Sequence, residues 1–351
     1  MSQIRVLNQK TIAEVMEMDR VIEVVKAAYV TKSRGQAVLW PLIFHEFEPE
    51  TAEMDIKSGT MENQGIYGLK VVSWYEKNAK AGLPQLFGTV LVFDSATGAP
   101  LGLLDAAYLT GLRTGAAGAI GAAALARPEA ENLLIVGAGH QAVFQVAATL
   151  TAMDNIKTVQ VYDGLDAENA RRLSGRLKDT LTEDFLSRYA PGSAARSAFE
   201  KKLDVRYEAV EDIEAATRAS DIIITITPSR QPIIQADWVR PGTHLSCIGS
   251  DTSGKQEVDE RLMAGARIFV DDVAQASAVG EIETALKRGL IGQGDIAGEI
   301  GEVLAGEKPG RRSPQDITVF DSTGIALQDI AAAKLAIDLA EEKGLGVTVE
   351  L

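Results

Sequence analysis

The chain has 351 residues, of which 49 are acidic and 35 basic, so its formal charge is −14. Hydrophobic residues make up 46% and charged residues 24%, which is typical of a globular protein rather than a disordered, fibrous or membrane one. This length favours two domains. The excess of acidic residues argues against nucleic acid or an anionic membrane as the main partner.

The chain contains one cysteine, Cys247, and three histidines, His45, His140 and His244, and the histidines lie far apart in sequence. A structural zinc site or a disulfide framework cannot be assembled from these residues, so we expect no bound metal. An enzyme with so few reactive side chains is expected to obtain its chemistry from a cofactor. The first residues show no signal or transit pattern, and no apolar run approaches membrane-spanning length, so we expect a cytoplasmic protein.

The first part of the chain combines helix with strands. A short strand over residues 4–7 precedes one amphipathic helix, whose apolar face includes Ile12 and Ile22. Short apolar runs separated by turn residues over 37–105 predict a meander of antiparallel strands. Over 106–127 the density of alanine and glycine predicts a closely packed helix, which Pro128 ends.

From residue 132 onward, strands alternate with helices. The predicted strands are 133–136, 158–162, 205–207, 222–225, 244–248 and 267–270, with helices such as 141–153 and 168–177 between them. This alternation predicts an α/β fold with a doubly wound parallel sheet. The small, polar and basic segment 187–202 is expected to be a surface excursion. A last strand over 317–320 leads into a final helix over about 324–343.

The sequence NLLIVGAGHQA carries the strongest local motif, G-x-G-x-x-G/A. Gly137 allows a tight turn after an apolar strand, and Gly139 lets the backbone approach a pyrophosphate. Ala142 permits close contact between helix and strand, while the helix beginning near Gln141 turns its N-terminus towards the anion. The motif predicts a dinucleotide site, and the alternative is a glycine turn that binds no ligand.

The second strand of this series ends at Asp163, where an acidic side chain can bond the adenosine ribose hydroxyls. A carboxylate there repels a 2′-phosphate, which favours NAD over NADP. The alternative is that Asp163 only caps the following helix. His140 lies inside the glycine motif and is expected to be a neighbour of the phosphates rather than a catalytic base, whereas His45 and His244 are expected to be structural or exposed. Cys247 is expected to be a buried small hydrophobe.

Two cations interrupt apolar sequence. Lys70 lies in the strand IYGLKVVSW, and Arg113 lies in the helix of alanine and glycine residues. Together they could hold a carboxylate, although each alone could also be a solvated charge. Asp251 follows a predicted strand of the parallel sheet, at the edge where ligands bind in such sheets.

The chain resembles the ornithine cyclodeaminase/mu-crystallin family over nearly its whole length. The segments that carry the resemblance are GLKVVSWYEKN, PLGLLDAAYLTGLRTGAAGA, LLIVGAGHQA, GSDTSGKQEVD, ARIFVDD with Gly280-Glu281, and TVFDSTGIALQD. The resemblance implies an NAD-binding Rossmann domain over 116–321. It is inserted in an α+β domain with an antiparallel sheet (1–115 with 322–351) for substrate binding and dimerisation. Family members are typically homodimers whose antiparallel sheets join across the interface.

The resemblance also implies roles for individual residues. Lys70 and Arg113 would hold the substrate carboxylate, and Thr323 would lie near the substrate. Asp251 and Lys70 would be the catalytic residues, with Asp251 as the acid/base group. The residues that would line the cofactor are Thr89, Arg113, Thr114, Gly137, Gly139, His140, Gln141, Ala142, Asp163, Thr227, Ile248, Asp251, Lys255 and Ser322. Hydride transfer from Cα of an α-amino acid to the nicotinamide would give an imine.

The sequence departs from the family pattern at the carboxylate clamp. The additional arginine usual in the family is absent, because no arginine occurs between Arg34 and Arg113. Lys57 occupies the place of a glutamate that holds the amine of ornithine in the cyclodeaminase. A cation there would repel that amine and could replace the missing arginine. The leading hypothesis is therefore an NAD-dependent amino-acid dehydrogenase or ketimine reductase acting on a small amino acid or cyclic imine. Ornithine cyclodeaminase and a cofactor-bearing binding protein without turnover remain alternatives.

Overall fold

A computed structural model describes residues 3–351. Its strands are β1 (Gln3–Leu7), β2 (Ala37–Leu39), β3 (Ile43–Glu48), β4 (Ala52–Met61), β5 (Ile66–Tyr75), β6 (Leu86–Asp94), β7 (Pro100–Asp105), β8 (Asn132–Val136), β9 (Thr158–Tyr162), β10 (Arg206–Ala209), β11 (Ile222–Thr225), β12 (Arg230–Ile234), β13 (His244–Cys247), β14 (Gln256–Val258), β15 (Arg267–Val270), β16 (Ile296–Glu299), β17 (Thr318–Asp321) and β18 (Val347–Glu350). Its α-helices are α1 (Gln9–Val15), α2 (Met18–Ser33), α3 (Ala106–Leu125), α4 (Gln141–Ala152), α5 (Ala167–Asp184), α6 (Ala194–Lys202), α7 (Ile213–Ala219), α8 (Val273–Val279), α9 (Glu283–Lys287), α10 (Ile300–Leu304) and α11 (Ala326–Glu342).

The chain divides into two compact units. The first comprises the chain up to Arg113 together with Ile325–Leu351, and the second comprises Thr114–Gly324. The second unit is therefore inserted into the sequence of the first. No helix in the described part of the chain is both long enough and apolar enough to cross a membrane.

The first unit is built on a mixed sheet in the order β18-β1-β7-β6-β5-β4-β2, with β3 also paired to β4. Strands β4 to β7 pair antiparallel, which confirms the predicted meander, whereas β1 pairs parallel with β7. Helix α11 packs on α2 and across β4 to β7. A β-carbon on Gly102 of β7 would lie 2.4 Å from the Ile337 side chain, so glycine in the sheet lets α11 approach closely.

The predicted single helix near the N-terminus is wrong, because the structure has two helices, α1 and α2. Met16 and Glu17 between them are extended, with ψ angles of 124° and 137°. Both Met16 and Met18 are buried. Residues two apart in a helix lie on nearly opposite faces. The extended link therefore lets both methionines face the core, which one continuous helix would not.

The second unit contains a fully parallel sheet in the order β10-β9-β8-β11-β13-β17-β15-β16. This confirms the predicted doubly wound α/β fold. The strand order reverses between β8 and β11, and such a switch point is where ligands bind at the carboxyl ends of the strands. Most residues of segment 187–202 are exposed, as expected for a surface excursion, and the segment contains α6, which Ser193 caps and which buries Phe199.

His244 and Cys247 on β13 are fully buried in the second unit, as predicted for a structural histidine and a small hydrophobe. His244 Nε2 lies 3.0 Å from Ser246 Oγ, which donates to the Gly118 carbonyl of α3. Burial, reinforced by Arg311, lowers the pKa of His244 to about 3. The imidazole is therefore neutral at physiological pH and joins β13 to α3.

Candidate functional site

The glycine motif forms the turn between β8 and α4. Gly137 has φ +113° and donates its N–H to the Tyr162 carbonyl at 2.8 Å. A β-carbon on Gly137 would lie 3.0 Å from the Thr227 methyl group, whereas one on Gly139 would meet no protein atom within 4 Å. Gly137 thus serves the turn, and Gly139 faces space that a ligand can fill. Ala142 is fully buried, as close packing of helix and strand requires.

The start of α4 fits an anionic group. His140 at the N-cap makes no side-chain hydrogen bond to the helix, and the first turn contains no acidic residue. Gln141 Oε1 is buried without a hydrogen-bond partner among the described residues. Burial lowers the pKa of His140, so this ring is neutral at pH 7. Backbone N–H groups at a helix N-terminus bind phosphate, and the residues at this helix start fit a dinucleotide pyrophosphate.

Asp163 organises the neighbouring turn. Its Oδ2 accepts from the Ala138 N–H at 3.3 Å, and its Oδ1 accepts from the Leu165 and Asp166 N–H groups at 2.9 and 3.1 Å. Helix α5 is capped by Asp166 instead, which accepts from the Glu168 N–H. The alternative in which Asp163 caps that helix is therefore wrong. A carboxylate still has lone pairs for ribose hydroxyls beyond these three contacts.

Other predicted cofactor residues of the second unit lie at or near the carboxyl ends of its strands. Thr227 follows β11, and Ile248 and Asp251 follow β13. Asp251 Oδ1 pairs with Lys255 Nζ at 2.6 Å, and the Asp251 side chain is 45% exposed, so it is accessible to a substrate. Thr114 near the start of this unit is buried, and its carbonyl accepts from Gln145 Nε2 at 3.0 Å.

Asp271 fixes the loop that follows β17. It accepts hydrogen bonds from Ser322 Oγ at 3.1 Å, Thr323 Oγ1 at 3.0 Å and the Gly324 N–H at 2.8 Å. All three side chains that take part are buried. The predicted ligands Ser322 and Thr323 are thus brought together by a carboxylate that the sequence did not single out.

The first unit contains a buried cationic cluster, formed by Lys57, Lys70 and Arg113 around Asp329 of α11. Lys70 Nζ lies 3.1 Å from Asp329 Oδ2, and Arg113 Nε lies 2.9 Å from Asp329 Oδ1. Lys57 faces Lys70 directly across the β4–β5 pair. The three cations are 7%, 2% and 6% exposed, so none of them is a solvated charge.

The alternation of the strands explains why both lysines face α11. Gly59 and Gly68 are cross-strand partners, and a β-carbon on either would touch a side chain of α11, Leu327 or Ile330. Residues two apart in a strand share a face. Lys57 and Lys70, two residues from these glycines, therefore face the same helix. Predicted cofactor residue Thr89 lies on β6 of this sheet and is exposed.

The cluster has an excess of positive charge. Burial lowers the pKa of Lys70 to about 8, with Arg113 and Lys57 adding to the effect and Asp329 and Asp55 opposing it. Burial acts to raise the pKa of Asp329, but Arg113, Lys70 and Lys57 outweigh it and lower that pKa. The three cations of the cluster, counted with the carboxylates of Asp329 and Asp55, leave one net positive charge at this buried site. Such a place suits a bound carboxylate, which a guanidinium can hold through two parallel N–H groups.

The described residues contain no group of three or more histidine, cysteine or acidic side chains that could hold a metal ion.

The sequence profile of the ornithine cyclodeaminase/mu-crystallin family matches residues 3–183 and 187–344. The chain belongs to this family.

Several members of the family that are related over the whole chain are named as oxidoreductases. The alanine dehydrogenase of Archaeoglobus fulgidus is 36% identical over 345 residues, 98% of each chain. A structure of an archaeal alanine dehydrogenase dimer with bound NAD is 34% identical, covers 99% of each chain and has a TM-score of 0.86. The Thermococcus litoralis Δ1-pyrroline-2-carboxylate reductase, solved with NADH and L-proline, is 31% identical with a TM-score of 0.87 and covers 99% of this chain and 100% of that one. This family member is therefore an oxidoreductase.

Sequence reasoning missed two carboxylates of this family member, Asp329 and Asp271. Asp329 stands in an apolar stretch, ALQDIAAA, as Lys70 does in its strand, so the same criterion could have found it. Asp271 lies in the quoted segment ARIFVDD, but no local pattern shows that it bonds a loop 51 residues away.

Proposed function

We propose that this family member interconverts a small α-amino acid, or a cyclic imino acid, and the corresponding imine with NAD as cofactor. The observation that carries the proposal is the buried cationic cluster of Lys57, Lys70 and Arg113, whose net positive charge suits one carboxylate. Lys57 replaces the arginine that the family usually supplies. NAD, when bound, accepts or returns the hydride at Cα of the substrate.

The residues of this chain would bind and orient the reactants. Lys70 and Arg113 hold the carboxylate, which fixes the substrate by one end. The start of α4 with Gly139, Asp163 and Thr227 binds the dinucleotide. Asp251 is the acid/base group, which accepts a proton from the substrate amine or activates water for imine hydrolysis.

The charge at Lys57 argues against ornithine as substrate. The δ-amine of ornithine is a cation, and a buried cation at residue 57 repels it. A dehydrogenase or imine reductase reaction needs no second amine on the substrate. The proposal therefore favours these two reactions over cyclodeamination.

The turn after β9 favours NAD over NADP. Asp163, Asp166 and Glu168 place acidic side chains along the turn and the start of α5. The two arginines that follow are engaged by other partners, Arg171 with Glu168 and Glu211 and Arg172 with Asn169. A 2′-phosphate would meet like charge in this turn.

We also propose that the enzyme is a homodimer joined through the first unit. The exposed large hydrophobic side chains of this unit concentrate on β2, β3 and the start of β6: Val38, Trp40, Leu42, Ile43, Phe44, Phe47, Leu83, Leu86 and Phe87. Strands β2 and β3 lie at the edge of the sheet beyond β4. An exposed apolar sheet edge of this size is suited to pairing with a second copy of the chain.

The reaction is tested by incubating the purified protein with NAD and, in turn, alanine, proline and ornithine while NADH absorbance is followed. The reverse direction is tested with NADH and the matching cyclic imine or 2-oxo acid with ammonia. We expect turnover with a substrate that has one amine, and loss of turnover without loss of NADH binding in Asp251→Asn. Proline and ammonia from ornithine without net NADH would establish the cyclodeaminase instead. Ligand binding without turnover in either direction would support the binding protein.

A further inference from the structure

Glu257 is a fully buried carboxylate between the carboxyl ends of β11 and β13. Its Oε1 accepts from the Thr227 N–H at 2.5 Å and from Thr227 Oγ1 at 2.8 Å. Its Oε2 accepts from Thr225 Oγ1 at 2.7 Å and from the Gly249 N–H at 2.9 Å. One side chain of β14 thus joins the loops that follow two neighbouring strands of the sheet.

The packing around this carboxylate is tight. A β-carbon on Gly249 would lie 2.6 Å from Glu257 Oε1 and 2.2 Å from the Thr227 carbonyl. A β-carbon on Gly137 would lie 3.0 Å from the Thr227 methyl group. Thr227 is therefore held between the first glycine of the phosphate loop and Glu257, and Gly249 has no room for a side chain.

We propose that Glu257 is a positioning residue for the dinucleotide, which acts by orienting Thr227 and by fixing the turn from Gly249 to Asp251. The inference rests on the proposed function, since it assumes that the second unit binds NAD. The hydroxyl of Thr227 has one proton, which it donates to Glu257. Of the two lone pairs on this oxygen, one accepts from the Ser229 N–H at 3.4 Å. The other can accept only from an N–H or O–H donor, so a cofactor group that binds Thr227 must be such a donor.

The geometry requires a carboxylate rather than an amide at position 257. Each oxygen accepts from one backbone N–H, that of Thr227 or that of Gly249. In either orientation of a glutamine, the NH₂ group would face one of these N–H donors, which cannot turn away.

A second buried carboxylate, Glu281, keeps Glu257 in place. Glu281 accepts from the Val258 N–H at 2.6 Å, from the Glu257 N–H at 2.9 Å and from Ser250 Oγ. Burial, with the nearby charge of Glu257, raises the pKa of Glu281 to about 8. Burial also raises the pKa of Glu257, and the four hydrogen bonds donated by Thr225, Thr227 and Gly249 oppose this rise because they stabilise the charged carboxylate.

The test compares Glu257→Gln with Asp221→Asn as a matched control. Asp221 is also a buried carboxylate, and it accepts from the backbone N–H groups of Glu131 and Asn132 at 3.0 Å, but it lies at the amino ends of β8 and β11. We expect Glu257→Gln to raise the Kd for NADH, measured by fluorescence titration, about tenfold or more. Asp221→Asn should leave that Kd within about twofold even where it lowers thermal stability.

A double-mutant cycle with Thr227→Val separates positioning from a general loss of structure. Thr227→Val alone should also raise the Kd for NADH about tenfold, because it removes the oriented acceptor. Added to Glu257→Gln, it should change the Kd by less than about twofold, since the hydroxyl is already misplaced. Full additivity of the two changes would overturn the proposed action of Glu257 through Thr227.

The remaining outcomes are distinguishable. Wild-type affinity for NADH in Glu257→Gln would overturn the inference alone. If Glu257→Gln does not fold, the Kd for NADH of the Thr227→Val variant tests the inference instead. An unchanged Kd in that variant would overturn the inference. Absence of NADH binding by the unaltered protein would overturn the proposed function together with the inference that rests on it.

Discussion

Asp329 is central to the cationic cluster, because it is the counter-ion of both Lys70 and Arg113. Three cations packed within one buried cluster repel one another, and two of them, Lys57 and Lys70, face each other across a strand pair. The carboxylate reduces this repulsion and fixes the positions of the two charged groups that it contacts. In the proposed function, a substrate carboxylate would then meet cations that are already in place.

We predict that Asp329→Asn lowers the free energy of unfolding by about 3–5 kcal/mol, because it leaves buried cations without their counter-ion. Asp338→Asn on the same helix is the control, since Asp338 pairs with Lys334 at a partly exposed position. That change should cost less than about 0.5 kcal/mol. Denaturant unfolding of both variants measures the difference, and equal losses would contradict the role assigned to Asp329.

The lowered pKa of Lys70, about 8, predicts a pH dependence of carboxylate binding. Below this pKa the lysine is a cation that attracts a carboxylate, and above it the charge is lost. The affinity for a simple carboxylate inhibitor such as propionate should therefore fall as pH rises through about 8, by at most about tenfold per pH unit. In Lys70→Arg the charge persists, so this decline should disappear. A decline that is the same in both proteins would assign it to another group.

The role of a single residue was harder to predict when its interaction partner lies far away in the chain. Lys70 and Arg113 stood out because a charge interrupts apolar sequence. The pairing of Arg113 with Asp329 spans 216 residues, and no local pattern reports a contact at that separation. The position of Lys57 opposite Lys70 likewise required the register of β4 and β5, which only the structure supplied.

Among the elements, α3 shows how glycine permits close packing. A β-carbon on Gly121 would lie 2.4 Å from the Phe320 ring, and one on Gly118 would lie 2.1 Å from Gln145 Oε1. These contacts are with β17 and α4 of the second unit. The many small residues of this helix are therefore explained by its neighbours rather than by helix propensity, since glycine weakens an isolated helix.

We predict opposite effects of two glycine-to-alanine changes. Gly121→Ala should destabilise the protein by about 1–3 kcal/mol, because the added methyl group overlaps Phe320. Gly175→Ala in α5 meets no protein atom within 4 Å and should stabilise the protein by about 0.5–1 kcal/mol through helix propensity. Thermal unfolding of the two variants tests this, and a stabilising Gly121→Ala would refute the packing argument.

Helices and strands could be predicted best where the pattern of apolar residues in the sequence is strong. The strands of the parallel sheet are continuous apolar runs, so most were placed within one or two residues. The break between α1 and α2 could not be predicted, because it arises from burying two methionines that one helix would separate. Short strands such as β14 and β16 contain too few residues for an alternating pattern to appear.

At the scale of the whole molecule, the proposed homodimer predicts a clear effect of a charge on β3. Phe47 is 53% exposed within the apolar group on this edge of the sheet. Phe47→Asp should convert the dimer to monomer at micromolar concentration, because a carboxylate would be buried without a partner in the interface. Leu165→Asp, in the second unit and 95% exposed, is the control and should stay dimeric. Analytical ultracentrifugation measures both, and a dimeric Phe47→Asp would place the interface elsewhere.

Much of the organisation of the whole molecule could be predicted from the sequence. The resemblance placed domain boundaries after residues 115 and 321, and the compact units divide after Arg113 and Gly324. The change from antiparallel meander to alternating strands and helices marks the same region by pattern alone. The sequence did not show that β1 and β18 extend the first sheet, because their pairing joins the two ends of the described chain.

The insertion of the second unit into the first has a consequence for the order in which the protein is made. A ribosome synthesises Arg113 216 residues before Asp329. At about 5–20 residues per second this delay is about 10–40 s. During that time the sheet of the first unit has its three cations but lacks α11, so Lys70 and Arg113 have no Asp329 to pair with. The segment Thr114–Gly324 is complete by the end of this delay and can fold. The second unit can therefore fold before the first is complete, and the last helix to be synthesised, α11, carries the carboxylate that pairs with Lys70 and Arg113.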